Sequence, residues 1–297
     1  MKPVVLVTGA AGLIGTYLVR TAARWVADWR VEGVTRRDAD LTDHGQVKAL
    51  WSRLQPQAVI HCAALSRTGQ CEGNPSLARA INIEATERLA SLAHDKPFLF
   101  LSSDQVFDGA KGWYVETDEG RPLNVYGQTK MEAEQVVMQN QAHTVIRVAL
   151  TAGCSETGDR SFVEDMRQAC RQGHTLTLFT DEFRCPLPAG VVARAVWELL
   201  AHGPAGLYHL GGSERMSRWD IGLALTQWYT ELSICLRAGS LRDYTGPPRP
   251  ADLSMNSGKI QRVLSFRLPG FGTWLASRQH PGVDPWDYIE PAPASSS

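Results

Sequence analysis

The residues of this chain whose types and spacing could do chemistry are Tyr126 and Lys130, four positions apart. At this spacing two side chains lie on the same face of a helix, so the lysine ammonium can lie beside the phenol. A phenol with its ordinary pKa of about 10 exchanges protons poorly at neutral pH, and a neighbouring cation lowers that pKa by stabilising the phenolate. The pair is therefore predicted to transfer a proton in catalysis. Tyr-x-x-x-Lys alone is a weak signal, because it also occurs by chance.

A glycine-rich turn near the start of the chain makes this pair more informative. Residues 4–7 are all apolar and predict a buried parallel strand, and a turn with three glycines follows. In such a unit the first glycine permits the tight turn, the second lets a pyrophosphate approach the backbone, and the third lets the helix pack on the strand. The helix N-terminus then offers unpaired N–H groups to phosphates. An ordinary glycine-rich connection is the less favoured alternative. The residues predicted to bind a dinucleotide here are Gly9, Gly12, Leu13, Ile14 and Gly15.

Composition and charge exclude several kinds of partner. The chain has 297 residues, of which 43% are hydrophobic, and a net charge of -1, which is typical of a soluble globular protein with a large core. There is no basic surplus that would indicate nucleic acid or an anionic membrane as a partner. No apolar run approaches the ~20 residues of a membrane span. The expected partner is a small molecule, and the expected location is cytoplasmic.

The cysteines and histidines show neither a metal-binding nor a paired pattern. There is no Cys-x-x-Cys, and the eight histidines are scattered, whereas zinc ligands are closely spaced. No metal site is therefore expected. Reduced thiols in a cytosolic protein fit the six cysteines best; they are Cys62, Cys71, Cys154, Cys170, Cys185 and Cys235.

Strand and helix signals alternate along the chain, which is typical of an α/β fold with a parallel sheet. Strands are predicted at 4–7, 31–35, 58–62, 98–103 and 144–150, and helices at 78–92 and 126–138. The predicted fold class is a Rossmann-type doubly wound parallel sheet with a smaller C-terminal substrate domain. The Rossmann domain is assigned to 1–152 and about 187–211, and the substrate domain to about 153–186 and 212–280. Residues 281–297 are predicted to be a tail with a disordered end.

Several segments together point to a family: Thr8-Gly9-x-x-Gly12-x-x-Gly15, Asp40-Leu41-Thr42-Asp43, Ser102–Gly109, Val125–Lys130, Gly206–Leu210 and Arg249–Asp252. On these segments the chain resembles the extended short-chain dehydrogenase/reductases, and within them the dTDP-4-dehydrorhamnose reductase family. The resemblance spans most of residues 1–280.

The resemblance implies roles for four polar residues. Tyr126 is expected to donate a proton to the substrate carbonyl, and Lys130 to hold the nicotinamide ribose and lower the tyrosine pKa. Ser103 matches the hydroxyl that hydrogen-bonds the reacting oxygen, and Asn82 matches the helix asparagine that supports the lysine. Two alternatives stay open. Ser103 could satisfy the backbone at a strand end, and Asn82 could be a helix-packing amide.

The end of the second predicted strand bears on the choice of cofactor. Arg36 and Arg37 follow it before the first carboxylate, Asp38. Two guanidinium groups can clamp the 2′-phosphate of NADP(H), whereas an acidic residue there favours NAD(H). NADP(H) is therefore favoured, NAD(H) is possible, and a solvated basic loop is the alternative. By resemblance, further cofactor contacts are expected from Asp40, Leu41, Ala63, Ala64 and Ser66.

Departures from the family lie where the substrate should bind. Asp104 is followed by Gln105 rather than tyrosine, and Leu150 stands where the family usually has tryptophan. A glutamine amide does not titrate, which argues against the related 4,6-dehydratases, since these need a second acid/base group there. The predicted reaction is reduction of a carbonyl to an alcohol on a sugar-like or nucleotide-sugar substrate. Arg249 is predicted either to meet a substrate phosphate or to form a structural ion pair.

A non-catalytic role is the alternative to an enzyme. The same family includes a regulatory subunit of methionine adenosyltransferase, which binds dinucleotide and contacts a partner enzyme. Retention of Ser103, Tyr126 and Lys130 favours catalysis, although binding alone also uses the last two. A homodimer is compatible with either function.

Overall fold

The computed structural model describes residues 2–278 and residue 286. Its strands are β1 (Val4–Thr8), β2 (Arg30–Val34), β3 (Ala58–His61), β4 (Phe98–Ser103), β5 (Thr144–Val148), β6 (Thr151–Ala152), β7 (Leu176–Phe179), β8 (Phe183–Arg184), β9 (Leu187–Pro188), β10 (Gly206–Leu210), β11 (Met216–Ser217) and β12 (Leu236–Gly239). Its α-helices are α1 (Leu13–Trp25), α2 (His44–Leu54), α3 (Thr68–Gly73), α4 (Pro75–Arg79), α5 (Ala85–Leu92), α6 (Val125–Val137), α7 (Phe162–Arg171), α8 (Ala189–His202), α9 (Arg218–Thr226), α10 (Gly258–Gln261) and α11 (Phe271–Ala276).

A parallel sheet lies at the centre of the fold, with the strand order β10-β5-β4-β3-β1-β2. Strands β1 and β4 are buried along their whole length, because helices cover both faces of a parallel sheet. The chain order changes direction between β1 and β3. In such sheets ligands bind in the crevice at this point, outside the carboxyl ends of the strands. The predicted α/β class with a Rossmann-type parallel sheet is confirmed.

The observed elements follow the predicted ones closely in the first half of the chain. The strand predicted at 98–103 is found as Phe98–Ser103, and the helix predicted at 126–138 is found as Val125–Val137. The helix predicted at 78–92 is different, because a π-helical turn at Ala80–Glu84 separates α4 from α5. The spacing of apolar residues in a sequence does not reveal a π-helical turn. Such turns are common at functional sites.

Smaller two-stranded pairings lie outside the main sheet. They join β6 to β9, β8 to β11, and β7 to β12. One cluster of buried apolar side chains nevertheless extends from Val5 in β1 to Ile221 and Leu225 in α9. Because the two predicted domains share this core, their division stays a prediction.

A disulfide joins Cys170 at the end of α7 to Cys235 before β12, so the expectation that all six cysteines are reduced is wrong. A 3₁₀ turn at Thr230–Ile234 packs against α7 and brings the two Cα atoms to 5.7 Å, within the range that a disulfide spans. The two cysteines are 65 residues apart. Their pairing therefore depends on tertiary packing that sequence spacing does not reveal.

The predicted tail lies outside the described residues, except for Trp286. This side chain is only 3% exposed, stacks on Trp274 with ring centroids 5.5 Å apart, and donates a hydrogen bond to the Tyr229 hydroxyl. Among the residues that the structure describes, no helix has the length and apolar character needed to cross a membrane.

Candidate active site

A cavity of about 680 Å³ opens at the carboxyl ends of the central strands. It brings the glycine turn after β1 together with the Tyr–Lys pair of α6, which lies more than a hundred residues later in the chain. Most of the predicted site residues line it: Gly9, Gly12, Leu13, Ile14, Gly15, Arg36, Asp40, Leu41, Ala63, Ala64, Ser66, Ser103, Asp104, Gln105, Tyr126, Lys130 and Leu150.

The glycine turn has no room for side chains at two of its positions. Gly9 has φ +69, and a Cβ there would lie 2.6 Å from the Ala63 backbone nitrogen. A Cβ at Gly15 would overlap the carbonyl oxygen of Gly9. Gly12 precedes the first residue of α1, and no side chain caps this helix end. Its first N–H groups are therefore available to an anionic ligand.

The end of β2 carries the two arginines, and they are placed differently. Arg36 lines the cavity, whereas Arg37 does not. The carboxylate of Asp38 accepts hydrogen bonds from the Thr35 backbone nitrogen at 2.8 Å and from its hydroxyl at 2.7 Å. These bonds lower the pKa of Asp38 and turn its charge toward the loop backbone. Of the two arginines expected to clamp a phosphate, Arg36 lies at the cavity wall and Arg37 does not.

Tyr126 is positioned by the start of α6. The side chain of Asn124 caps this helix by accepting a hydrogen bond from the Gly127 nitrogen at 2.8 Å, and it donates another to Gln105 at 3.1 Å. Gln105 therefore helps to fix the tyrosine helix against the end of β4. Burial raises the pKa of Tyr126 well above its ordinary value, although a hydrogen bond with Ser103 opposes this rise. The direction is opposite to the expected lowering by Lys130, so the phenol of this chain holds its proton at neutral pH.

Lys130 is among the most buried charged residues of the protein, with 1% exposure. Its ammonium lies 3.8 Å from the centre of the Phe100 ring, where the face of the ring attracts a cation. Burial lowers the pKa of Lys130 to about 7, and the carboxylate of Glu134 opposes this shift. Glu134 lies one helical turn beyond the lysine on the same face.

The Glu134 carboxylate, whose charge acts on this lysine, belongs to a buried ion pair. Arg147 in β5 donates to both carboxylate oxygens of Glu134, with the shortest hydrogen bond at 2.7 Å, and Ser102 donates to the same carboxylate. The pair is almost completely buried, with side-chain exposures of 7% and 6%. The sequence interpretation missed Glu134, although its spacing of four from Lys130 was a readable signal.

Ser103 and Asp104 lie at the end of β4, at the cavity wall. The Ser103 hydroxyl donates to Oδ1 of Asp104 at 3.2 Å and accepts a hydrogen bond from the Gln105 nitrogen at 3.2 Å. Ser103 thus caps the 3₁₀ turn Asp104–Val106, as the structural alternative predicted. Burial raises the pKa of Asp104 to about 6, although the charge of Arg184 and hydrogen bonds from Ser103 and from the Leu150 backbone oppose the rise.

Two predicted residues lie elsewhere. The amide of Asn82 bonds to the backbone nitrogen and oxygen of Leu65 and to the Thr129 hydroxyl, which agrees with the alternative of a packing amide. Arg249 does not line the cavity. Its guanidinium makes two hydrogen bonds of 3.0 Å to Glu182, so the structure has the ion pair that was the alternative to a phosphate contact.

The sequence interpretation also missed the wall formed by the start of α7. Arg160, Ser161 and Phe162 line the cavity there. Ser161 and Glu164 form a reciprocal capping box. The Ser-x-x-Glu pattern of such a box can be read from the sequence as a helix start, but not as a cavity wall.

The parallel sheet, the glycine turn and the Tyr–Lys helix meeting at one cavity define an extended short-chain dehydrogenase/reductase. Residues 1–278 match the family described as RmlD substrate binding domain, and the chain belongs to that family.

Its relatives include both reductases and a regulatory subunit. The chain is 34% identical to a probable low-salt glycan biosynthesis reductase of Haloferax volcanii, over 91% of this chain and 95% of that protein. It is 30% identical to methionine adenosyltransferase 2 subunit beta of Xenopus laevis, over 89% of this chain and 84% of that protein. A crystal structure of dTDP-4-dehydrorhamnose reductase from Bacillus anthracis in complex with NADP has the same fold, with a TM-score of 0.84, 21% identity and coverage of 93% and 98%.

Proposed function

We propose that this protein is an NADP(H)-dependent reductase that converts a carbonyl of a nucleotide-sugar-like substrate to an alcohol. The observation that carries this proposal is the convergence of Ser103, Tyr126 and Lys130 with the glycine turn in one cavity. Reductases among the relatives support the reaction class, and the NADP complex of the Bacillus anthracis reductase supports the cofactor.

The chain's own residues fit a dinucleotide. A side chain at Gly9 or Gly15 would fill the turn, and the uncapped start of α1 offers N–H groups to the phosphates. Lys130 would hold the nicotinamide ribose. When bound, the reduced cofactor supplies a hydride to the carbonyl carbon. Tyr126 then donates its proton to the carbonyl oxygen, and the Ser103 hydroxyl hydrogen-bonds the same oxygen as its charge develops.

The proposal is tested by following NADPH oxidation with a panel of nucleotide-linked 4-keto sugars and small polar ketones. Turnover of at least one nucleotide-linked ketone without any added protein is expected. A protein that binds NADPH tightly but reduces none of these compounds would contradict the proposal.

Arg36 should matter more than Arg37 for cofactor selection. We expect Arg36→Ala to weaken NADPH binding by about tenfold or more, because a hydrogen bond to a charged group contributes about 1.5–3 kcal/mol. NADH lacks the phosphate, so its affinity should hardly change. Fluorescence titration of both cofactors measures this, and Arg37→Ala is the matched control because Arg37 lies outside the cavity wall. Equal losses for NADPH and NADH would rule out a phosphate contact.

The substrate is expected to differ from that of a strict dTDP-4-dehydrorhamnose reductase. Leu150 and Gln105 line the cavity where the family has aromatic residues. Losing one such pocket contact weakens the binding of the family's substrate in the transition state by about 1–3 kcal/mol. We therefore expect kcat/KM for dTDP-4-dehydrorhamnose with NADPH to fall below the ordinary enzyme range of about 10⁴ M⁻¹s⁻¹ and above. A measured value inside that range would contradict this prediction and show that the protein uses the family's substrate, dTDP-4-dehydrorhamnose.

A regulatory role is the second candidate, since the chain also resembles methionine adenosyltransferase 2 subunit beta. Dinucleotide binding is common to both candidates. They differ in whether the purified protein turns over a ketone alone, and in whether it changes the kinetics of a methionine adenosyltransferase added to it. Turnover alone, without an effect on the second enzyme, supports the reductase.

A further inference from the structure

A histidine buried between the glycine turn and the Tyr–Lys helix has a hydrogen-bond partner at each of its ring nitrogens. His61, the last residue of β3, is completely buried. Its Nδ1 atom lies 2.6 Å from the Thr8 hydroxyl oxygen, and its Nε2 atom lies 3.0 Å from the Thr86 hydroxyl oxygen. Thr8 ends β1 and precedes Gly9, whereas Thr86 lies in α5. The reaction described above gives this histidine no role.

The neighbouring hydrogen bonds fix which ring nitrogen carries the proton. The Thr86 hydroxyl donates its single proton to the backbone oxygen of Asn82 at 2.8 Å. It can therefore only accept from the histidine, so Nε2 is the protonated nitrogen. The Thr8 hydroxyl oxygen accepts from the Ala63 backbone nitrogen at 3.4 Å, and its own proton is left to donate to Nδ1. The chain of hydrogen bonds thus runs in one direction through a neutral imidazole.

The imidazole ring also packs against the aromatic ring that holds the lysine cation. Phe98 and Phe100 pack against His61, with ring centroids 5.9 and 5.8 Å away. The Lys130 ammonium lies 3.8 Å from the centre of the same Phe100 ring, where the ring face attracts a cation. Burial, together with the charge of Lys130, lowers the pKa of His61 to about 3. A neutral ring is therefore what stands beside this lysine at neutral pH.

At its far end the hydrogen-bond chain reaches two parts of the cavity wall. Asn82 belongs to the π-helical turn between α4 and α5, and its amide bonds to the backbone of Leu65 and to the Thr129 hydroxyl. Leu65 lines the cavity, and Thr129 precedes Lys130 in α6. The hydrogen bonds of His61 therefore connect the glycine turn, the loop after β3 and the helix that carries the lysine.

We propose that His61 is a positioning residue that holds the glycine turn, the loop after β3 and the Tyr–Lys helix in the relative positions that bind the dinucleotide. His61 does not line the cavity, so it acts through Thr8 and Thr86 rather than by contact with a ligand. This role rests on the dinucleotide binding of the proposed function and does not depend on which ketone is reduced.

The first test needs neither cofactor nor substrate. In nitrogen NMR of the full-length protein with isotope-labelled histidines, the His61 ring is identified by the loss of its signals in His61→Gln. We expect its proton on Nε2 and no titration between about pH 6 and pH 8, because burial disfavours the charged form. A His61 ring with its proton on Nδ1, or one that titrates in this range, overturns the directed chain and with it the positioning role.

The second test measures NADPH affinity by titration of folded protein. Thr86→Val removes one hydroxyl at nearly constant shape and should weaken NADPH binding by about tenfold, the effect that one buried group left without its partner can have. His61→Leu removes both hydrogen bonds and should weaken binding further. His61→Gln places an amide nitrogen near the position of Nε2 and should recover part of the affinity lost in His61→Leu.

His143→Gln is the matched control for a structural effect. His143 is also buried, packs on Phe98 and bonds to the backbone oxygen of Ala93, but it lies outside the cavity wall. This substitution should lower the free energy of unfolding and leave the NADPH dissociation constant of the folded protein unchanged. If Thr86→Val and His61→Leu also change only the free energy of unfolding, the positioning role is overturned.

Failure of the positioning role and failure of the reductase function give different results. A wild-type protein that binds NADPH, loses affinity in Thr86→Val and His61→Leu, and reduces no ketone would keep the positioning role and contradict the reductase. A wild-type protein that reduces a ketone, and whose NADPH affinity is the same in both variants, would keep the reductase and overturn the positioning role. If the wild-type protein binds neither NADPH nor NADH, both are overturned.

Discussion

Tyr126→Phe is expected to lower turnover by about 10²–10⁴-fold, the range that general acid catalysis contributes. The substitution removes the hydroxyl and leaves the ring. Because burial holds the pKa of this phenol well above its ordinary value, Tyr126 enters each reduction protonated. The Ser103 hydroxyl already donates to Asp104, so it is a poor replacement.

Cofactor binding should survive this substitution. The glycine turn and Arg36 are distant in sequence from Tyr126 and form other parts of the cavity wall. NADPH affinity measured by titration should therefore change little while kcat falls. Tyr244→Phe is the matched control, since this tyrosine is exposed and lies outside the cavity. Near-normal turnover by Tyr126→Phe on the true substrate would show that another group donates the proton.

Local sequence patterns were enough to predict the strand that ends at Ser103 and the helix that carries the proton donor. Phe98–Ser103 is a short, mostly apolar run, and such runs predict buried strands directly. The helix of Tyr126 and Lys130 was found within one residue of its observed start. Both the strand and the helix depend on residues that are neighbours in the chain, so the sequence alone predicts them.

Features that depend on distant contacts could not be predicted. The Cys170–Cys235 disulfide and the Arg249–Glu182 ion pair each join segments more than sixty residues apart. Arg36 and Arg37 look equivalent in sequence, and only the direction of the loop separates them. Desolvation in the folded protein raises the pKa of Tyr126, and the spacing between Tyr126 and Lys130 in the sequence does not reveal this effect.

The largest loss of stability is expected from breaking the buried ion pair beneath Lys130. Arg147→Met should lower the free energy of unfolding by about 3–5 kcal/mol, because it leaves the Glu134 carboxylate buried without its partner. The charges are only 7% and 6% exposed, so water cannot replace the hydrogen bonds that Arg147 makes. The measurement is denaturant unfolding of wild type and variant, with the slope of the transition checked for equality.

The double variant Glu134→Leu with Arg147→Met distinguishes two contributions to the free energy of unfolding: the net effect of the ion pair, and the cost of a buried charge that has lost its partner. It should be more stable than Arg147→Met alone, because replacing both buried charges by apolar groups is often neutral. Arg121→Met is the control, since its pair with Glu119 is 70% and 75% exposed, and exposed pairs contribute only about 0–1 kcal/mol. If the double variant also binds NADPH normally, Glu134 serves the fold. If its NADPH affinity falls while the fold is intact, the opposing charge of Glu134 on the buried Lys130 is needed at the cofactor site.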